Sequence, residues 1–458
     1  MTITRRRVLA SAAAASASLW LASCKRATGP TAQHTDRGLR IDLRHVVQDG
    51  DERFELVELR REPAPPSGGL DTPDWGDYAL TLTDTATDAP LVRVALDSNL
   101  DPDRAPAVST LCVRCVLPAA AFTITVEKRR PGGVLQPLYT RGADASLVHD
   151  AEPPRVLVDT LVRNGDARDH VDIAIVGDGY AAGERAKFAA DAKRAAGYLF
   201  SVEPYKSRIR DFNVHAIFAE SAESGVSDAY NGTRAASAFG TAYGSGAGER
   251  TLSVGDERKL RDAAAAVPYD VLLVLANSRR YGGSAYFGGP AVVAIDSAAA
   301  RYLVLHESAH AIAGLAEEYY IPSADGPVYR GNVEPWQPNV TTSLETTKWA
   351  APQRAPSRWN KARYERYFGG YVKRYEALRA GGADEYRIEK LMREVAPRQA
   401  VLLGRSREVG FFEGANGYAQ GFYRPEADCI MFSLQTDYYC AACTAAISRA
   451  IDARLPKR

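Results

Sequence analysis

Leu305-His306-Glu307-Ser308-Ala309-His310 sets two histidines four residues apart, with a glutamate beside the first, inside an otherwise apolar run. The stretch from Tyr302 to Leu315 reads as a buried helix, and residues i and i+4 of a helix lie one turn apart on one face. Both imidazoles can therefore reach one ion, and Glu307 can reach a water beside it. A buried helix does not carry such residues without a partner for them, because unpaired polar groups are costly in an apolar setting. Two neutral nitrogen donors, a carboxylate and an open coordination position are what a zinc hydrolase requires. The stretch points to Zn2+ as cofactor, His306 and His310 as metal ligands, and Glu307 as the catalytic general base.

A third protein ligand is still needed. No histidine follows His310, so a ligand from the C-terminal side must be a carboxylate or a cysteine. In metzincin peptidases a glycine breaks the helix after the second histidine, and the third ligand sits three residues beyond it. Here that spacing runs from Gly314 to Glu317, with the glycine one residue later than usual, so Glu317 is the expected metal ligand. Glu318 is the next candidate, and Glu408 or Glu413, from a later helix, are alternatives. Downstream, Asp428-Cys429-Ile430-Met431-Phe432 carries one of only three methionines in the chain. Its Cys-x-Met element is similar to the methionine turn that floors the metal site in metzincins.

Further stretches extend the likeness: Asp172 to Tyr180, Glu223-Ser224-Gly225-Val226-Ser227, Pro338 to Thr341 with Lys348-Trp349, Phe412 to Ala415 with Tyr423-Arg424-Pro425, and Cys440-Ala441-Ala442-Cys443. Together with the zinc helix they make the chain from Asp172 onward resemble the clostridial-type IgA metallopeptidase family, a metzincin-like group of secreted bacterial zinc peptidases. The family usually has Asp-Glu-Tyr where this chain has Glu317-Glu318-Tyr319, so the third ligand gains a methylene. The resemblance implies a zinc-dependent metalloendopeptidase acting on an extracellular or periplasmic protein or peptide. It does not carry over immunoglobulin A as substrate.

The expected reaction is attack of a zinc-activated water on a scissile carbonyl, with Glu307 taking the water's proton and passing it to the leaving amine. Tyr423, in Gly421-Phe422-Tyr423-Arg424-Pro425 shortly before the methionine element, is the candidate for an assisting tyrosine, with Tyr418 and Tyr438 as rivals. Two competing readings are a non-catalytic surface lipoprotein for adhesion or glycan binding, and a zinc amidase. The first has no need of the base, which the intact motif supplies. Substrate data alone separate the second.

The first 24 residues read as an export signal. Thr4-Arg5-Arg6-Arg7-Val8-Leu9 resembles a twin-arginine motif, the Ala-rich run behind it is too short to span a membrane as a mature helix, and Leu21-Ala22-Ser23-Cys24 matches a lipobox. The expected product is an exported lipoprotein anchored in a membrane through Cys24, at the periplasmic face or the cell surface, with residues 25–38 as a polar tether. A net charge of +1 gives no field to attract nucleic acid. Tyr281-Gly282-Gly283-Ser284-Ala285-Tyr286-Phe287-Gly288-Gly289 lacks the Lys-Ser/Thr and G-x-G-x-x-G patterns of nucleotide sites, so no nucleotide is expected. The same stretch, before the strand Ala291 to Ile295, is a candidate shelf on which extended substrate could add to a sheet edge.

The rest of the chain divides clearly. Residues 39–150 show short alternating apolar runs separated by turn residues, which predicts a small antiparallel, sandwich-like β domain. Residues 151–458 alternate strands (Asp172 to Val176, Phe212 to Phe218, Tyr269 to Leu275) with helices (Gly183 to Leu199, Glu257 to Ala265). That succession predicts an α/β, metzincin-like zinc peptidase core with a mostly parallel sheet. An insert at 322–428 opens with a Pro- and Trp-bearing loop and holds a Tyr- and Arg-rich helix, Trp359 to Arg379, capped by Ser357. Five cysteines follow Cys24. Disulfides are expected in an oxidising compartment, with Cys429 bridging to Cys440 or Cys443, rather than a four-thiolate zinc site built from the two Cys-x-x-Cys pairs.

Overall fold

The computed structural model describes residues 34–48, 51–67, 75–98, 100, 107–150, 155–244, 248–320, 327–331, 333–404 and 407–456. The expected export signal with Cys24, and the tether up to residue 33, lie outside the described residues.

The N-terminal unit has eight strands: β1 (His34–Gln48), β2 (Asp51–Glu62), β3 (Tyr78–Asp84), β4 (Pro90–Leu96), β5 (Ala107–Pro118), β6 (Phe122–Arg129), β7 (Leu135–Ala143) and β8 (Val148–Asp150). They form two four-stranded sheets, β5-β1-β2-β8 and β4-β3-β6-β7. Every neighbouring pair is antiparallel except β2 with β8. Successive side chains of a strand point to opposite faces. Leu39, Ile41 and Leu43 thus share one face of β1 and meet Leu80, Leu82, Ile124 and Val126 in a common core between the sheets.

The other face of β1 departs from what alternation suggests. Arg40 and Asp42 point away from that core, yet neither is exposed to solvent. They are covered by helix α2 (Glu257–Ala264) of the C-terminal part. Arg40 donates to Asp42 at 2.9 Å and to Asp262 at 2.8 Å, Arg60 reaches the same Asp262 oxygen at 2.9 Å, and Arg258 reaches back to Asp42 at 3.2 Å. Arg114 of β5 lies 3.6 Å over the Tyr269 ring. Buried charges are tolerated when each has an opposite charge and hydrogen-bonding partners, and this interlock joins the sandwich to the second unit.

That second unit centres on a six-stranded sheet. Its strands in chain order are β9 (Leu157–Val162), β10 (Val171–Asp178), β11 (Phe212–Phe218), β15 (Val271–Ala276), β16 (Gly283–Ser284) and β17 (Ala291–Ala294), and their spatial order is β16-β17-β15-β10-β11-β9. The numbers between belong to a small sheet of β12 (Ser227–Asp228), β13 (Ala242–Tyr243) and β14 (Leu252–Ser253). The four central strands run parallel, and β9 and β16 are antiparallel edges. Val171 to Asp178 and Val271 to Ala276 are buried at every position, as strands covered on both faces must be. Helix α1 (Arg185–Leu199) and helix α3 (Ala300–Ala313) pack together beside this sheet, and α6 (Ala441–Asp452) packs on α3.

The insert holds more helix than expected. Helix α4 (Lys361–Ala380) is followed by α5 (Glu385–Leu403), which pack as an antiparallel pair around Tyr375, Ile388, Leu391 and Val395. Pro397 inside the second helix masked its period in the sequence. Ser357 does not cap α4: its hydroxyl accepts from Phe411 N at 2.9 Å, and Asn360 holds the cap position. A hairpin of β18 (Phe412–Ala415) and β19 (Tyr418–Arg424) completes the unit.

Candidate active site

Helix α3 is buried along nearly its whole length, because Leu303, Val304, Leu305, Ala309 and Ile312 fill its faces against the sheet and α6. His306 is 3% exposed and Glu307 7%. Gly314 ends the helix in the left-handed region, at φ 58°, and its N–H closes on His310 O at 3.0 Å. A Cβ there would meet the Trp336 ring at 2.4 Å, so the close approach and the backbone angle both select glycine. The reversal brings Leu315 O back over the helix end, where it accepts from His310 Nδ1 at 2.5 Å.

His306 makes the matching contact from below. Its Nδ1 lies 3.3 Å from Ile430 O. A carbonyl oxygen only accepts, so each ring carries a proton on Nδ1 and, when neutral, presents a bare Nε2. The two Nε2 atoms face each other at 3.1 Å, and the Glu317 carboxylate stands 3.1 Å from the first and 3.4 Å from the second. With both rings neutral, three acceptors converge with no donor between them, a conflict that a proton on His310 or a metal ion relieves. Oε2 of Glu317 is buried without a hydrogen-bond partner.

A cation satisfies all three. Zinc–nitrogen and zinc–oxygen bonds of about 2.0–2.2 Å in a tetrahedron place neighbouring donor atoms roughly 3.3–3.5 Å apart, close to the separations observed. The protonation balance agrees. Burial opposes charge on His310, but the Glu317 carboxylate outweighs it and lifts the ring to about 9. Burial likewise opposes charge on Glu317, and the two imidazoles overcome it and hold its carboxyl far below the usual range. The carboxylate therefore attracts positive charge to this spot, and a divalent ion can take the place of that proton.

Glu307 points into the same cleft. Burial, with some help from Glu317, raises its pKa above the ordinary glutamate value. Gly283 of β16 lies against it: a Cβ there would stand 2.7 Å from Glu307 Oε1 and 3.0 Å from Val292 O. Tyr302 stacks on His306 at 4.8 Å between ring centroids, and the Tyr319 hydroxyl donates to Glu317 Oε1 at 3.0 Å. The surrounding cleft of 830 Å³ is walled by the Gly283 to Phe287 stretch on one side and by Tyr364, Tyr371 and Tyr375 of α4 on the other. Arg250 also lines it, 5.9 Å from the Tyr281 ring centroid.

Beneath the histidines the chain makes a tight turn. Phe432 N and Ser433 N both donate to Cys429 O at 2.9 Å, and the buried Asp428 accepts from Cys429 N, Ser433 Oγ and Thr436 Oγ1. The turn presents Ile430 O to His306 and Met431 O to Glu318 N, the latter at 2.9 Å.

His306, Glu307, His310 and Glu317 are thus brought together, and other expected residues are not. Glu318 faces away from the histidines, with its Oε1 3.1 Å from Asn339 Nδ2 and 3.0 Å from Cys443 Sγ. Glu413 lies in a strand and pairs with Lys361 at 2.8 Å, and neither it nor Glu408 lines the cleft. Tyr423 is also outside the cleft lining. Its backbone pairs with Thr341, and its ring meets Phe411 at 6.3 Å. Tyr418 stacks on Phe422, and Tyr438 lies under Arg407. Closeness to Met431 in sequence did not place Tyr423 in the cleft lining, because on β19 its ring lies against Phe411.

The expected disulfide is not formed. Cys429, Cys440 and Cys443 are free, with Cys429 Sγ 3.8 Å from Cys443 Sγ. Cys112 and Cys115 are free as well, and three residues apart on a strand they point to opposite faces. The strand Ala291–Ala294 is no edge, since β16 pairs with its outer side. The outer side of β16 is in part covered too, by Gly283 N donating to Arg250 O at 3.2 Å. Sequence reading missed the roles of Gly283, Tyr319 and Asn339. Each lies in a stretch already singled out, so the signal was present as a segment but not as a residue.

A protein-family model described as IgA Peptidase M64 matches residues 160–451, so the match runs from within β9 through the rest of the six-stranded sheet, helix α3 and the turn at Cys429, and leaves out the β sandwich. Comparison with the curated proteins returns no match.

Proposed function

The chain belongs to the IgA peptidase M64 family, a family of metallopeptidases, and from that membership we propose that it is a zinc-dependent metalloendopeptidase cleaving an extracellular or periplasmic protein. The convergence of two bare Nε2 atoms and a carboxylate within 3.4 Å of one another carries this reading. His306, His310 and Glu317 are the proposed zinc ligands, and Glu307 the proposed general base. Gly314 ending the helix before Glu317, and the turn that presents Ile430 O to His306, support a metzincin-like core.

A zinc ion held by His306, His310 and Glu317 would supply a water of lowered pKa and a Lewis acid for the scissile carbonyl. The protein's own groups do the rest. Leu315 O and Ile430 O fix the tautomer and aim of the two rings. The Tyr319 hydroxyl orients Glu317. Glu307, buried and therefore a stronger base than an exposed glutamate, accepts the proton of the attacking water and hands it to the leaving amine. Gly283 holds the base in place, and the tyrosine-lined α4 closes the far wall around an extended peptide.

We propose further that the chain is exported and held at a membrane by lipid on Cys24, a reading supported by the twin-arginine-like motif and the lipobox.

Glu307→Gln tests the chemistry. The variant is expected to keep its metal and fold while hydrolysis of a peptide library falls about 10²–10⁴-fold. Turnover at the parent's rate removes Glu307 from the reaction.

A further inference from the structure

Behind the catalytic cluster lies a second one. Cys429, Cys440, Cys443 and Glu318 are all buried, and each offers a donor atom within 4.8 Å of the other three. We propose that these four side chains bind a second, structural zinc ion that locks the floor of the active site.

The geometry is that of a closed site. Cys429 and Cys443 hold their sulfurs 3.8 Å apart. Glu318 Oε1 is 3.3 Å from Cys440 Sγ and 3.0 Å from Cys443 Sγ. Zinc–sulfur bonds of about 2.3 Å in a tetrahedron give sulfur–sulfur edges of roughly 3.8 Å and sulfur–oxygen edges near 3.6 Å. Four protein ligands leave no open position, which marks a structural ion and not a catalytic one.

Glu318 points the same way. It is 0% exposed, and its Oε2 has no hydrogen-bond partner. A buried carboxyl group with an orphaned oxygen beside three sulfurs is costly without a cation. A disulfide between Cys429 and Cys443 would use two of the four groups and leave Glu318 with Cys440 Sγ and Asn339 Nδ2 on Oε1 and nothing on Oε2. One zinc ion uses all four. On binding, each thiol releases its proton to solvent and its sulfur takes the metal, with no change of oxidation state. Cys429 Sγ is placed to be a thiolate, since Cys440 N and Met431 N donate to it at 3.2 and 3.5 Å, and Cys440 and Cys443 stand at the start of helix α6.

The ion would tie together the elements that shape the catalytic cluster. Glu318 adjoins Glu317. Cys429 begins the turn whose Ile430 O orients His306. Cys440 follows Tyr439, whose hydroxyl donates to Leu305 O of the zinc helix at 2.6 Å.

The test uses the full chain with His306→Ala and His310→Ala, which removes the catalytic ligands and leaves these four. Native mass spectrometry after zinc loading is expected to find one zinc per chain, with an absorption-edge spectrum dominated by sulfur. Adding Cys440→Ser and Cys443→Ser should abolish that zinc. A double-histidine variant that is folded and metal-free, or that carries a Cys429–Cys443 disulfide, overturns the proposal. Should the double-histidine variant not fold, the loaded parent decides: two zinc ions per chain with sulfur in the averaged shell support it, and one zinc with only nitrogen and oxygen neighbours overturns it. If Cys440→Ser with Cys443→Ser in the parent loses the sulfur-bound zinc and keeps full turnover, the claim that this ion locks the active-site floor is overturned, while loss of turnover in Glu307→Gln bears only on the catalytic cluster.

Discussion

Replacing Gly283 by alanine should cripple the base without touching the metal. The added Cβ would stand 2.7 Å from Glu307 Oε1 and 3.0 Å from Val292 O. An ordinary carbon–oxygen contact is about 3.4 Å or more, and the backbone oxygen belongs to the central sheet, so the carboxylate must yield. Relief requires Glu307 to swing by roughly 0.5–1 Å, and displacement of a reacting group by 1 Å can cost on the order of 10²-fold. The expected result is a kcat about 10- to 100-fold below the parent, an unchanged zinc content, and a stability loss of about 1–3 kcal/mol from overpacking. The assay compares turnover, metal analysis and urea unfolding for Gly283→Ala in the parent and in a Glu307→Asp background, where the shorter side chain leaves room. A double-mutant cycle should then show most of the stability loss vanish in that background. Gly283→Ala with the parent's kcat, or the same stability loss in both backgrounds, would refute the argument that Gly283 positions Glu307.

Under chelator titration, Glu317→Ala should release catalytic zinc far more readily than the parent, while Glu318→Ala leaves the histidine-bound ion in place; the reverse order would exchange their roles. Cys24→Ser should move the protein from the membrane fraction to the soluble exported fraction or leave the precursor uncleaved, and an unmodified Cys24 in the parent's mass spectrum would exclude the anchor. In the sandwich, burial opposes charge on Glu52, but His45, Lys128 and Tyr78 outweigh it and hold its carboxyl down to about 2, against 4.5 when free. A depressed folded pKa stabilises the fold above pH 4.5 and loses that contribution as pH falls toward 2, on the order of 1–3 kcal/mol once solvent screening is allowed for. Unfolding of the parent should weaken more steeply over that window than unfolding of Glu52→Gln, and parallel curves would dismiss the pairing.

The helix that carries both histidines and the α/β order were legible because both rest on short-range periodicity. His306 and His310 lie one turn apart on any helix, and Val271 to Ala276 is apolar at every position. Glu317 was legible through the glycine three residues before it, since the reversal at Gly314 is local. The environment of Glu318 was not. Its partners are Asn339, Cys440 and Cys443, which only the tertiary fold brings to it, and adjacent residues in an extended segment face opposite sides. The place of Tyr423 was not legible for the same reason in reverse: nearness along the chain carries no information about which face of β19 a ring takes. The burial of the charged face of β1 was not legible either, because alternation tells inside from outside only when the outside meets water.

Ile430 follows His306 by 124 residues, yet it is Ile430 O that sets the aim of the first imidazole. At roughly 5–20 residues per second of synthesis, about 6–25 s separate the two on the ribosome. The sandwich strands are complete by Asp150 and can fold well before either appears. The apolar helix that carries both histidines, by contrast, must wait for the turn at Cys429 and for α6 before it has a floor to rest on. A nascent chain stalled in the insert would expose that helix uncovered, with its two rings free to rotate. The two imidazoles therefore gain their final aim only after the turn at Cys429 has been made.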